Sequence, residues 1–286
     1  MPAPIRKWLP PCKGGAKRED FPLMSTLPTD RRQFLGLMAA GATAAVSAPA
    51  LAQTSRSAYP PDVGFKFFAD GRVHPFPGNT VICHVPQQGE DSACFDALLD
   101  IYREAPSHRF VRKVALLPPS SYHMTVFGGA NDKPRKAQSW PADLPLDMPI
   151  ERCNTILAER LKAARISCPL PIRMKVDPSQ DPTNGAPLTL RLLPADSGER
   201  DKLTQVRRRI ADVTKVPISR PDTYRFHISL GYFIAWLTPA EEIEFTRTFN
   251  RWAGQLAAKS PVITLGAPEF CTFEDMYAFH RVLFLA

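Results

Sequence analysis

The sequence predicts an α+β domain built from two similar halves, with antiparallel strands backed by helices. Three observations carry this. Short apolar or alternating runs of strand length are interleaved with amphipathic stretches of helix length from residue 80 to the C-terminus. No regular βα repeat or Gly-rich phosphate loop appears, which argues against a Rossmann-type parallel sheet. Two matching strand segments, Tyr122-His123-Met124-Thr125-Val126 and Phe226-His227-Ile228-Ser229-Leu230, lie 104 residues apart, as the halves of a duplicated domain would place them.

Each element has a local reason. Residues 53–78 are rich in Pro and Gly without a period and read as an irregular N-terminal arm, ahead of a domain over 79–286. Thr80–Pro86 is a short apolar strand. Asp91–Glu104 carries Phe95, Leu98, Leu99 and Tyr102 on one helical stripe. Phe110–Leu117 and Ser121–Gly128 read as strands around a Pro-Pro-Ser turn, and the polar Ala130–Asp147 loop leads to a helix over about Pro149–Ala164. Pro171–Val176 and Pro187–Leu193 alternate as strands around the turn-rich Asp177–Ala186. Leu203, Val206, Ile210 and Val213 give the next helix its buried face, and Tyr224–Ile234 is a long strand. Thr238-Pro239-Ala240-Glu241 is a capping box with Pro at the first helical position, opening a helix that presents Phe245, Phe249, Trp252 and Leu256. Val262–Ala267 and Tyr277–Leu285 are the closing strands.

The first 52 residues read as an export address. Arg31-Arg32-Gln33-Phe34-Leu35 opens an uncharged stretch that ends in Ala50-Leu51-Ala52, which resembles a twin-arginine signal and predicts a periplasmic mature protein. The alternative is an uncleaved membrane anchor, although small residues and Pro49 make the stretch weakly apolar. Met24 sits where such a signal would start, so residues 1–23 read as an extended start. The chain of 286 residues has a formal net charge of +8. Removing the leader's seven basic and three acidic residues leaves 29 basic and 25 acidic, a net of +4. That weakens the case for a long nucleic-acid partner. The remaining cysteines (Cys83, Cys94, Cys153, Cys168, Cys271) form no C-x-x-C pair and read as buried thiols without a zinc site.

Function is concentrated in the two matched segments. In a strand, residues two apart share a face, so each His points the same way as its hydroxyl partner while Met124, Val126, Ile228 and Leu230 point to a core. The alternative is that both histidines are polar fillers on a solvated sheet face. The pattern H-x-[TS]-x on strands of two lobes resembles the 2H phosphoesterases, which include 2′,3′-cyclic nucleotide phosphodiesterases. Pro118–Phe127, Tyr224–Ser229 and Trp140–Leu146 are similar to a poorly characterised bacterial and fungal branch of that superfamily. The resemblance implies a bilobal fold in which two pseudo-symmetric antiparallel sheets flank a central groove. It implies hydrolysis of a cyclic or small, nucleotide-like phosphodiester without metal or other cofactor. His123 and His227 would act as general acid and base, and Thr125 and Ser229 would bind phosphate; Ser229 stands where many members have Thr. Histidine suits either role near neutrality.

Other candidates follow from strand period. Arg225 shares the phase of His227 and Ser229 and could hold a phosphate or form a surface ion pair. Phe127 shares the phase of His123 and Thr125, and His84 lies on a strand; both are candidate groove-lining residues. Arg173, Lys175, Thr189 and Arg191 face away from their strands' apolar residues, toward a groove or solvent. Besides a phosphodiesterase, the same groove suits an exported protein that binds a phosphorylated ligand without chemistry, or an RNA-processing factor. A monomer without stable membrane insertion is expected.

Overall fold

The computed structural model describes residues 56–218 and 223–285. The expected export signal, over 1–52, lies outside them. In chain order the elements are β1 (Gly78–His84), α1 (Ala93–Glu104), β2 (Val114–Leu116), β3 (His123–Asn131), α2 (Ile150–Ala164), β4 (Ile172–Val176), β5 (Leu188–Pro194), α3 (Ser197–Thr214), β6 (Phe226–Phe233), α4 (Pro239–Lys259), β7 (Ile263–Leu265), β8 (Glu269–Phe273) and β9 (His280–Phe284).

The fold is α+β. Nine antiparallel strands form one sheet in the order β7-β4-β5-β6-β3-β1-β8-β9, with β2 also on β6, and the sheet curls into a half-barrel. Its two four-stranded halves, β7-β4-β5-β6 and β3-β1-β8-β9, meet where Met124 pairs with Ile228. The two matched segments are therefore the seam that fuses the expected sheets into one. Met124, Ile228, Leu190 and Met174 are fully buried and share one apolar cluster with Leu98 of α1, Leu157 of α2, Ile210 of α3 and Trp252 of α4. The Thr238–Glu241 capping box is formed, and Glu241 also pairs with Lys113 at 2.6 Å. All five cysteines of the described residues are buried and free, and burial pushes the Cys94 thiol up to about 12.

Three local departures from the expected elements have physical causes. Arg109–Lys113 is a 3₁₀ turn rather than strand, because Phe110 is wholly buried against Phe245 and Trp252. The strand Glu269–Phe273, which sequence period does not announce, exists because it is paired on both sides, by β1 and β9. Along β3 the pairing with β1 shifts by one residue, Ile82 opposing Thr125 and Val81 opposing Phe127. This bulge breaks the alternation after Val126.

Gly129 marks the tightest approach near the seam. A Cβ there would lie 1.9 Å from the Asn79 side-chain oxygen, which accepts from the Ala130 N–H at 3.0 Å, while the Asn79 amide donates to Asn154 at 2.7 Å. Asn79 is buried, so the clash cannot be relieved toward water. Gly129→Ala is expected to cost about 3 kcal/mol, read as a lower urea midpoint at unchanged slope.

Candidate active site

The seam builds the site. Antiparallel pairing of Met124 with Ile228, continued by one residue each way, sets His123 opposite Ser229 and Thr125 opposite His227. Met124 and Ile228 turn to the core, so the four polar side chains share the other face. On β5, Thr189 pairs with Ser229 and Arg191 with His227, extending the same face by one strand. The result is a two-fold arrangement in which each histidine has a hydroxyl on its own strand and another directly across the seam.

Both histidines are held alike. His123 Nδ1 donates to the Ser121 carbonyl at 2.7 Å, and His227 Nδ1 donates to the Arg225 carbonyl at 3.0 Å. A carbonyl can only accept, so the proton sits on Nδ1 and each Nε2 is left for the groove. Phe279 packs edge-on against His123, ring centres 4.3 Å apart. Loss of hydration is the main cause that drives the His123 pKa down to about 4; the Ser121 carbonyl opposes it, and the charges of His84 and His227 add to it. Desolvation also lowers His227, opposed by the Arg225 carbonyl and reinforced by Lys66 and Arg191. Below the ordinary histidine value near 6.5, an unfolded chain takes up protons that the folded ring refuses until about pH 4. Stability is therefore expected to fall as pH drops from 6.5 to 4. His123→Gln should shrink that loss in urea unfolding at pH 7 and pH 4.5.

The groove over this seam has a volume of about 300 Å³. His123, Thr125, His227 and Ser229 all line it. Phe127 does not: the bulge turns it into the core at 3% exposure. His84 stands beside His123 on β1, ring centres 6.4 Å apart, but is bound to Glu269 at 3.2 Å outside the lining. Arg225 precedes the first residue of β6, where strand phase no longer governs direction, and lines a neighbouring cavity instead. Arg173 is engaged by Glu199 at 3.1 Å and Asp196 at 3.4 Å.

Sequence period missed a cation. Lys66, in the arm read as irregular, lines the groove. Its ammonium lies 2.9 Å from Asp62 and 4.6 Å from the Tyr232 ring centre. Burial works against its charge, but Tyr232 and Asp62 outweigh burial and hold its pKa above the ordinary lysine value. The next residue, Phe67, is wholly buried against Tyr232 and Tyr277 and pins the arm to the domain. A lone Lys amid Phe65, Phe67 and Phe68 was the available signal. Phe76, Phe273, Phe279 and Met276 give the groove an apolar wall opposite its polar floor. Among the described residues no group of three or more His, Cys, Asp or Glu side chains is placed to hold a metal, and no helix is long and apolar enough to cross a membrane.

Comparison with known proteins bears on the family. Residues 66–184, from Lys66 through the first His-x-Thr segment, match the family model 2H-phosphodiest, described as a domain of unknown function (DUF1868). The crystal structure of the conserved protein of unknown function ATU0111 from Agrobacterium tumefaciens str. C58 is similar, with a TM-score of 0.70 and 29% identity over 79% of this chain and 94% of that chain. No curated protein matches. These similarities support a 2H phosphoesterase-like assignment.

Proposed function

We propose that the chain is a phosphodiesterase that hydrolyses a cyclic or small, nucleotide-like phosphodiester with two histidines and no metal. The observation that carries this is the mirrored pair of imidazoles, each with Nδ1 tied to a carbonyl two residues back and Nε2 left to one groove beside Thr and Ser hydroxyls. One histidine, neutral, takes a proton from water as the water oxygen bonds to phosphorus. The bond from phosphorus to the ribose oxygen breaks, and the other histidine, protonated when the anionic phosphate is bound, gives its proton to that oxygen. Thr125 and Ser229 donate to the non-bridging oxygens, where charge accumulates. Lys66 adds a fixed positive charge to the same phosphate, and the aromatic wall suits a base or another flat group. The proposal includes export through residues 1–52 and a periplasmic site of action.

Hydrolysis of 2′,3′-cyclic AMP in EDTA, with identification of an acyclic monophosphate product, tests the reading. Saturable binding of the nucleotide with no product would favour the binding-protein alternative. Lys66→Met is expected to raise KM and lower kcat/KM about tenfold, with partial recovery in Lys66→Arg.

A further inference from the structure

A second cavity, of about 410 Å³, opens beside the catalytic groove and is lined by Arg191, Arg200, Arg207 and Arg225. Arg207 is buried and committed, donating to the Val126 carbonyl at 2.5 Å with its guanidinium 3.7 Å from the Tyr224 ring centre. Arg191, Arg200 and Arg225 have no ion-pair partner among the described residues, in contrast to Arg173, Arg160 and Arg135, each paired with a carboxylate. Asp177, the one carboxylate among the described residues that line the cavity, already accepts from the Ser179 N–H at 2.9 Å and its hydroxyl at 2.7 Å. Three guanidinium groups without an ion-pair partner among the described residues, in a concave site, attract an anion, and arginine matches phosphoryl oxygens in particular.

The cavity is joined to the seam through Arg191. That residue pairs with His227 across β5 and β6, so one wall of the cavity is the strand next to the one that carries His227. We infer that the preferred substrate is a nucleotide carrying a second phosphoryl group, with its cyclic phosphodiester at the two histidines and the second phosphate among Arg191, Arg200 and Arg225. This rests on the phosphodiesterase reading of the groove and names its substrate class.

Binding and turnover separate the two ideas. On the full chain, calorimetry should give a Kd for adenosine 2′,5′-bisphosphate at least about tenfold lower than for adenosine 2′-monophosphate, and the gap should close to within about threefold in an Arg200→Gln, Arg225→Gln double variant. The same preference should appear in kcat/KM for 5′-phosphorylated over unphosphorylated 2′,3′-cyclic AMP. Equal Kd values, or a preference that survives in the double variant, would overturn the second-phosphate site and leave hydrolysis of 2′,3′-cyclic AMP standing. A tenfold binding preference without turnover of either cyclic nucleotide would instead overturn the phosphodiesterase reading and keep the arginine site as part of a binding protein. Failure to bind either nucleotide overturns both.

Discussion

His123→Ala and His227→Ala are each expected to lower kcat/KM for a 2′,3′-cyclic nucleotide by about 10³-fold, the range that loss of a positioned acid or base produces. Both side chains are only half-buried on strands that keep their ladder bonds, so far-UV circular dichroism and urea midpoints should stay close to wild type. The double variant should be little worse than either single one, because the rings act as a unit on one proton-transfer sequence. Thr125→Val and Ser229→Ala should cost less, since the hydroxyl across the seam remains in each case. If one histidine variant retained wild-type activity, the two-fold reading of the seam would be wrong.

Phe67→Ala carries the largest expected cost in stability, about 3–5 kcal/mol, because the ring is wholly buried between Tyr232 and Tyr277. Its effect should reach the chemistry. Phe67 is the anchor that sets Lys66 over the groove, so releasing the arm should raise KM at temperatures where the domain stays folded. Lys66→Met shares that kinetic effect without the loss of stability. Measuring the unfolding midpoint and KM together for both variants distinguishes the anchor from the charge it positions.

What the sequence discloses follows from how local each signal is. The His-x-Thr and His-x-Ser segments were legible because period two assigns faces inside a strand, and because their spacing matches a repeated half. The capping box at Thr238 and Glu241 was legible because both partners lie within one helical turn. Phe127 was misplaced because a single shift in register against β1 reverses which face a residue takes, and no residue type announces that shift. Arg225 lines the neighbouring cavity rather than the groove because it stands one residue before β6, where alternation has not begun. Lys66 was missed because its role depends on a long-range contact, the burial of Phe67 beneath Tyr232, in a segment without any period. The strand at Glu269–Phe273 owes its existence to partners 190 residues earlier and a dozen later, so its own composition says little.

The claim that two histidines share one phosphate site is tested most directly by nitrogen NMR of the imidazoles during titration with adenosine 2′-monophosphate. In the free protein at neutral pH, both rings should show protonated Nδ1 and bare Nε2, as the Ser121 and Arg225 carbonyls require. On titration both Nε2 signals should move together along one saturation curve. Response of only one ring, two different saturation curves, or protons found on Nε2 in the free protein would contradict the account.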